Sequence, residues 1–361
     1  MQQTNEPPVI RKRQLKKLAL DPEASAKAVK LVYVNCAEEG ITRVKKGKGF
    51  AYHYQGKTVR DRDLLARIRS LVIPPAWQNV WICPLANGHL QATGTDVMGR
   101  KQYRYHPSWN SLRNQTKFYR MLEMGRVLPA IRQRVRKDLS LPGLPRNKVL
   151  AAVISLMEKT GIRIGNEFYE KLYGSFGLTT LKDKHVSIGS GKVQFTFRGK
   201  KGVEHQVTLQ SKKLAKIVQH CKEIPGKELF QYIDEEGQRQ CIDSGMVNEY
   251  IREATGAEFT AKDLRTWCGS VTALSAIREA GPFENGKEAK QKIVAVLDKV
   301  AKQLGNTRTV CRKYYVHPVL LEIYEDGSLE KWLNKSAAEK NGSTNELEAE
   351  ELLLLNILEN K

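Results

Sequence analysis

The stretch Lys262-Asp263-Leu264-Arg265-Thr266-Trp267 opens an amphipathic run that extends over residues 262–279. Its apolar residues recur at helical spacing, which predicts an α-helix with one face in a core. Arg265 lies outside the apolar set, so its planar guanidinium is available for a two-pronged contact with an oxyanion. An ordinary surface arginine is the alternative. The apolar set consists of Leu264, Trp267, Val271 and Leu274.

Long segments of the same kind follow Pro107 and predict a mainly helical domain. One exception is a pair of β-like runs, 192–197 and 203–209, which flank Arg198-Gly199-Lys200-Lys201-Gly202. This pattern predicts a β-hairpin with a basic tip. The helical segments cover residues 118–135, 148–173, 211–223, 246–254, 262–279 and 287–304.

The chain before Pro107 has a different pattern. Short apolar runs alternate with turn residues over residues 31–105, which predicts a β-rich domain. One helix is expected inside it, at residues 63–71. The first 18 residues are basic and are expected to form a loose arm.

These patterns predict an α+β protein in three parts. Residues 1–116 form a small β-rich N-terminal domain with a basic arm, and residues near 107–117 connect it to the next part. Residues 117–335 form a larger, mainly α domain that carries the β-hairpin. Residues 336–361 form an acidic C-terminal tail, in which six Glu and two Lys give a charge of −4. A leucine-rich segment at 346–358 predicts a short helix that packs back or binds a partner.

The charge of the chain indicates a polyanionic partner. Lys and Arg number 60 against 39 Asp and Glu, a formal charge of +21, and the isoelectric point is near 9.6. Nucleic acid is the first expectation from such an excess. A basic ribosome-associated or membrane-surface protein is the alternative that composition leaves open.

The cysteines and histidines show no metal-site spacing. The six cysteines are scattered without a Cys-x-x-Cys pair, and the seven histidines, including His185 and His205, lack paired helical spacing. The segment Gly189-Ser190-Gly191-Lys192-Val193 lacks the Ser or Thr of a phosphate-binding loop, so no ATP site is expected. The polar residues Met1 to Pro8 and the lack of a run of about 18 apolar residues argue against a signal peptide or a membrane span, and we expect a cytoplasmic, nucleoid-associated protein with reduced thiols.

A second motif, Cys311-Arg312-Lys313-Tyr314-Tyr315-Val316-His317-Pro318, contains two candidate nucleophiles. Phosphodiester cleavage without a metal needs a nucleophile, and a tyrosine attacks phosphorus best when its oxygen is deprotonated. The adjacent cations favour that negatively charged form. Adjacent side chains on a helix diverge by about 100°, so only one of Tyr314 and Tyr315 can face a given phosphate, and spacing does not choose between them. A half-buried structural tyrosine is the alternative.

Two further basic residues are candidates for the same chemistry. Arg163 lies in Gly161-Ile162-Arg163-Ile164-Gly165-Asn166, where apolar residues and glycines predict a tight, partly buried position. Lys200, at the predicted hairpin tip, can donate a proton to a departing oxygen. A solvated surface lysine is the alternative for Lys200.

Together, these segments resemble the small bacterial and viral branch of the type IB DNA topoisomerases, over about residues 41–320. In the N-terminal part the similarity includes Ile73-Pro74-Pro75-Ala76-Trp77, Gly88-His89-Leu90-Gln91-Ala92-Thr93-Gly94 and Gly99-Arg100-Lys101-Gln102-Tyr103-Arg104-Tyr105-His106. In the later part it includes Arg163-Ile164-Gly165-Asn166, Phe197-Arg198-Gly199-Lys200, Lys262-Asp263-Leu264-Arg265-Thr266-Trp267 and Tyr315-Val316-His317-Pro318.

The resemblance implies a role for each catalytic candidate. Tyr315, not Tyr314, would be the nucleophile, with Arg163 and Arg265 holding the phosphate and Lys200 acting as the acid. Larger relatives have a histidine where this chain has Asn306. An amide can still donate a hydrogen bond to a phosphate oxygen, but a neutral donor should contribute less than a cationic one.

The resemblance also implies DNA contacts by Lys101, Gln102, Tyr103 and Tyr105 on a DNA-facing strand, and by Lys262. Physically, glutamine can read a base edge and lysine can contact phosphate. An exposed strand with ordinary polar residues is the alternative. The implied protein is a monomer that closes on duplex DNA as a C-shaped clamp and relaxes supercoils through a 3′-phosphotyrosine, without ATP, metal or other cofactor.

Two rival functions remain at this stage. A tyrosine recombinase shares the Arg, Lys, Arg and Tyr set, although recombinases usually have a histidine where this chain has Lys262. A non-catalytic DNA-packaging protein needs only the positive charge. A covalent protein–DNA adduct would exclude the packaging protein, and pairing of two duplexes would indicate a recombinase.

Overall fold

The computed structural model describes residues 18, 21–47, 49–97, 99, 101–338 and 347–361. The predicted basic arm lies outside the described residues, apart from Leu18. Two compact units divide after Arg120. Both helices and sheets are present, and the predicted α+β class is confirmed.

Six antiparallel strands form the sheet of the first unit, in the order β3-β2-β1-β4-β5-β6. Helix α2 packs on one face, where Ile68 meets Ile41, Val80, Ile82 and Ala92 in a core. The elements of this unit are α1 (Pro22–Ala28), β1 (Ile41–Lys46), β2 (Gly49–Tyr54), β3 (Lys57–Thr58), α2 (Arg62–Ser70), β4 (Gln78–Ile82), β5 (Leu90–Thr95), β6 (Lys101–Tyr105) and the first part of α3 (Pro107–Asp138).

The second unit is mainly helical and contains two small sheets. The order β7-β8-β9 forms one sheet, and β10-β11 forms the other. Its helices are the rest of α3, α4 (Arg146–Thr160), α5 (Glu167–Tyr173), α6 (Lys212–Glu223), α7 (Ser244–Thr255), α8 (Ala261–Ala280), α9 (Gly286–Leu304), α10 (Arg308–Tyr314), α11 (Pro318–Glu325), α12 (Leu329–Ala338) and α13 (Ala349–Asn360). Its strands are β7 (Val186–Gly189), β8 (Lys192–Arg198), β9 (Glu204–Gln210), β10 (Gln231–Ile233) and β11 (Arg239–Cys241).

Helix α4 forms the centre of this unit, since all residues from Val149 to Met157 are buried. Helix α8 packs against α4, α9 and α13. Arg265 and Trp267 are both buried on α8. The helix whose first turns contain the Lys262–Trp267 motif is therefore a core helix.

The predicted helix over 148–173 is wrong as one element. Helix α4 ends at Thr160, where Gly161 has a φ of 67°, and α5 begins only at Glu167. A left-handed residue terminates a helix, and glycine adopts that conformation without steric cost. Arg163 therefore lies on the irregular segment between two helices.

The structure bears on two other predictions. Residues near 107–117 were expected to connect the two domains, and they form the first part of α3. The predicted hairpin is confirmed as β8 and β9, and β7 pairs with β8 as a third strand that the sequence did not predict. Within the described residues, no helix combines the length and apolar character needed to cross a bilayer.

Candidate active site

The turn that follows α9 holds two candidate residues together. Helix α9 ends at Leu304, and Gly305 turns the backbone with a φ of 54°. Arg163 Nη1 donates to the Gly305 carbonyl oxygen at 3.3 Å, and Nη2 donates to Asn306 Oδ1 at 2.5 Å. The Asn306 amide nitrogen lies 3.5 Å from the Leu304 carbonyl oxygen. This hydrogen bond is long, so a closer acceptor could replace it.

Arg265 is a buried cation whose donors are incompletely used. The residue is 4% exposed, and its Nη2 donates to the Leu304 carbonyl oxygen. Its Nε and Nη1 atoms are buried and have no hydrogen-bond partner among the residues that the structure describes. Buried donors without partners are costly, more so on a charged group. The arrangement therefore favours an anion that accepts from both atoms.

Tyr315 lies beside this arginine. It follows the last residue of α10, and its ring centroid is 5.3 Å from the guanidinium carbon of Arg265. Ser270 of α8 fixes the local backbone, because its Oγ donates to the Tyr315 carbonyl oxygen at 2.9 Å and accepts from the His317 amide at 3.0 Å. Tyr314 is 40% exposed and places its ring centroid 5.4 Å from Lys313 Nζ.

The electrostatics of the two arginines reflect burial and mutual repulsion. Burial, reinforced by Arg163, lowers the pKa of Arg265 to about 10, whereas Tyr315 acts in the opposite direction. Burial also lowers the pKa of Arg163, again opposed by Tyr315. Among the described residues, the main groups that shift these two pKa values are tyrosine, cysteine and arginine side chains rather than carboxylates. A phosphate would supply the missing negative charge.

Lys200 lies on the β8–β9 connection, as predicted, in a short 3₁₀ turn over Lys200–Gly202. Its Nζ is 5.9 Å from the ring centroid of Tyr169 on α5, the helix that follows the Arg163 segment. Strands β8 and β9 pair in full register from Lys192 to Arg198. The turn therefore sits on a regular, hydrogen-bonded base.

His205 is a residue at this site that the sequence reasoning missed. It pairs with Phe197 across the hairpin, and the two rings stack with centroids 4.8 Å apart. A Cβ built on Gly305 would lie 2.1 Å from His205 Cε1, so the ring fills the space beside the turn. Strand alternation could have found it, because Phe195 and Phe197 mark the buried face and His205 is opposite Phe197.

The structure thus brings four of the five catalytic candidates into one cluster. Arg163, Arg265, Asn306 and Tyr315 are joined by direct contacts or share the turn after α9. Lys200 belongs to the hairpin whose His205 meets that turn. Within the described residues, no group of three or more His, Cys, Asp or Glu could hold a metal ion.

The N-terminal candidates lie on β6, at one edge of the six-stranded sheet. Tyr103 and Tyr105 are 47% and 39% exposed, and their rings stack with centroids 5.9 Å apart. Lys101 Nζ lies 5.9 Å from the Tyr103 ring centroid. Gln102 alternates to the other face, where its amide donates to Asp96 Oδ2 at 2.8 Å. In the other unit, Lys262 is exposed one turn before Arg265.

Comparison with known proteins identifies the family. The family model described as "Eukaryotic DNA topoisomerase I, catalytic core" matches residues 106–341, more than half of the chain. The DNA topoisomerase 1B of Acanthamoeba polyphaga mimivirus is 34% identical over 298 residues, which cover 80% of this chain and 88% of the viral protein. The chain belongs to the type IB DNA topoisomerases. The family predicted from the sequence motifs is confirmed.

One further family model and one further relative agree with this assignment. The N-terminal domain model of bacterial DNA topoisomerase IB matches residues 49–96. The DNA topoisomerase 1B of vaccinia virus strain Copenhagen is 24% identical over 242 residues, or 64% of this chain and 72% of the viral enzyme. A solved XerH site-specific recombinase bound to its difH substrate matches with a TM-score of 0.34 and 14% identity, over 59% of this chain and 53% of the recombinase. That score is too low to support an argument.

Proposed function

We propose that this type IB topoisomerase relaxes supercoiled duplex DNA by breaking and rejoining one strand through Tyr315. The observation that carries the proposal is the buried Arg265 beside the Tyr315 ring, with two donors that lack a partner in the described part of the chain. A phosphodiester between these groups would accept hydrogen bonds from the arginine and lie next to the nucleophile. Arg163 would supply a second positive charge at the same phosphate.

The proposed reaction exchanges one phosphodiester for another. The Tyr315 oxygen loses its proton to water and attacks phosphorus, and the bond from phosphorus to the 5′-oxygen breaks. Lys200 gives that oxygen a proton, which leaves a 3′-phosphotyrosine and a free 5′-hydroxyl. After strand rotation, the 5′-hydroxyl attacks phosphorus and returns its proton to Lys200, the bond from phosphorus to the Tyr315 oxygen breaks, and the released phenolate takes a proton back from water.

Each supporting residue has a distinct part in this proposal. Arg163 and Arg265 hold the nonbridging oxygens as charge develops on them, an effect for which one donor contributes roughly 10²–10³-fold in rate. The Asn306 side-chain oxygen accepts from Arg163, and the Asn306 amide nitrogen makes only a long contact of 3.5 Å with the Leu304 carbonyl oxygen, so this nitrogen would donate an N–H to the phosphate. We further propose that the enzyme acts as a monomer and uses neither ATP nor a metal ion.

Relaxation of a supercoiled plasmid in EDTA without ATP tests the function. Wild type should relax the plasmid and leave a covalent adduct when stopped with SDS. Tyr315→Phe should do neither while still binding DNA, because only the attacking oxygen is lost. Tyr314→Phe is the matched control and should relax the plasmid, since the Tyr314 ring is 40% exposed whereas the Tyr315 ring lies beside the buried Arg265. Adduct formation by Tyr315→Phe would overturn the assignment of the nucleophile.

A further inference from the structure

Helix α13, near the C-terminus, is an element whose role the family match leaves open. The catalytic-core match ends at residue 341, and α13 spans Ala349–Asn360. The helix packs against α8 and α12. Its buried apolar residues are Leu353, Leu354, Ile357 and Leu358. The sequence predicted that this helix either packs back on the protein or binds a partner. In the described residues it packs on the protein.

Glu351 places a carboxylate inside this contact. It is 5% exposed, although the other buried residues of α13 are apolar. Its Oε1 accepts from Trp267 Nε1 at 3.1 Å and from Arg132 Nη2 at 2.9 Å, and its Oε2 accepts from Arg132 Nη1 at 2.7 Å. The Glu348 amide also donates to Oε2, at 2.9 Å. A buried carboxylate with four donors is fixed in position, because each lost bond would leave a buried polar group unpaired.

Arg132 joins this carboxylate to the central helix of the unit. Its Nε donates to Glu158 Oε1 at 2.7 Å, so Glu158 of α4 and Glu351 of α13 share one guanidinium. Burial raises the pKa of Glu158, against the opposing effect of Arg132. Cys268 of α8 also donates from Sγ to the Glu158 carbonyl oxygen at 3.7 Å. Helices α3, α4, α8 and α13 are therefore tied together at one point.

Trp267 is the link from this cluster to the candidate active site. It is fully buried and lies two residues after Arg265. Residues two positions apart on a helix point about 200° apart, so a rotation of α8 that displaced one side chain would displace the other in the opposite direction. The hydrogen bond from the indole to Glu351 resists that rotation. It thereby fixes where the Arg265 guanidinium meets Leu304 and Tyr315.

We propose that Glu351 is a positioning residue for DNA cleavage, which acts through Trp267 to hold Arg265 in place. This inference rests on the proposed function. The other ion pairs of the helix are more exposed: Glu350 with Arg278, and Glu359 with Arg126. Exposed pairs contribute little. Glu350 therefore offers a matched control one residue away.

The test compares full-length variants on supercoiled plasmid with protein in excess. Glu351→Ala should slow formation of the SDS-trapped adduct roughly 10- to 100-fold, because small displacements of a catalytic group have effects of that size. Glu350→Ala should stay within about twofold of wild type. DNA affinity, measured by gel shift with the same changes in a Tyr315→Phe background, should change less than about twofold, since Glu351 is buried.

A double-variant cycle separates positioning from general loss of structure. If Glu351 acts through Arg265, adding Glu351→Ala to Arg265→Ala should slow cleavage less than about twofold further. Equal slowing in both backgrounds would overturn the proposal, as would a Glu351→Ala rate within twofold of wild type.

If Glu351→Ala does not fold, a second variant tests whether the contact between Trp267 and Glu351 positions Arg265. Trp267→Phe keeps an aromatic ring in the pocket but lacks the indole donor, and it should slow cleavage roughly 3- to 10-fold with an unfolding midpoint well above the assay temperature. A rate equal to wild type would refute the role of the indole hydrogen bond. If wild type itself forms no adduct, the proposed function fails instead, which keeps the two failures distinct.

Discussion

At the scale of single residues, His205 is a neutral imidazole held beside two guanidinium groups. Burial is the main cause that lowers its pKa from 6.5 to about 4, and Arg163 and Arg265 add to the effect. In the unfolded chain the ring binds a proton more readily. The free energy of unfolding therefore decreases as the pH falls from about 6.5 to 4, by roughly 3 kcal/mol in full.

We predict that His205→Gln will reduce this loss of stability in acid. Glutamine stays neutral, so it removes one site that the unfolded state protonates in preference to the folded state. Urea unfolding between pH 7 and pH 4.5 measures the effect, and the difference between the two proteins isolates His205 from the other histidines. Parallel stability curves would show that His205 does not titrate in this way.

The identity of the site residues could be predicted from the sequence, but the burial of Arg265 could not. The Lys262–Trp267 motif and the Tyr315 motif were recognisable, and both lie in the observed cluster. Helical periodicity, however, described Arg265 as outside the apolar face, whereas the residue is 4% exposed. The reason is tertiary: the end of α9 covers this face of α8, and the Leu304 carbonyl oxygen accepts from Arg265. A pattern within one helix cannot show what a distant turn contributes.

At the scale of elements, the turn after α9 depends on a glycine. Gly305 has a φ of 54°, and a Cβ there would lie 2.1 Å from His205 Cε1. Gly305→Ala should therefore add a steric clash to the usual cost of about 1 kcal/mol for a left-handed alanine. Because the Gly305 carbonyl oxygen accepts from Arg163, the shift should also slow cleavage.

Gly256 provides the control for this prediction. It ends α7 with a φ of 64°, and a Cβ there would meet no atom of the described residues within 4 Å. In Gly256→Ala the free energy of unfolding should fall only by the cost of a left-handed alanine, about 1 kcal/mol, and the variant should cleave DNA at the wild-type rate. Urea unfolding and adduct formation measure both variants. Equal stability losses, or equal cleavage rates, would show that His205 does not constrain the turn.

The elements themselves were largely predictable where one periodicity persists. Helices α6 to α9 match the expected segments to within a few residues, because long amphipathic runs specify helices strongly. The break after Thr160 was missed because the residues on both sides favour helix. It depends on a left-handed Gly161, and on hydrogen bonds from the Leu178 and Thr179 amides to the carbonyl oxygens of the 163–164 segment. Such contacts are not visible in local sequence.

At the scale of the whole molecule, net charge should govern how binding responds to salt. The chain carries +21, and each phosphate that a protein cation neutralises releases counterions. We expect the logarithm of the DNA association constant to fall linearly with the logarithm of salt concentration. A Tyr315→Phe background, which should bind without cleaving, allows this equilibrium to be measured alone.

One substitution then tests whether β6 contacts DNA. Lys101 is exposed at the sheet edge beside Tyr103. Lys101→Ala should therefore remove one phosphate contact and make the slope of the logarithm of the association constant against the logarithm of salt concentration less negative by about 1. Gln102→Ala is the matched control on the adjacent residue. Because glutamine is neutral, its loss should leave the slope unchanged whatever it contacts. An unchanged slope for Lys101→Ala would show that this lysine does not neutralise a phosphate and would remove the electrostatic case for β6 as a DNA-binding strand.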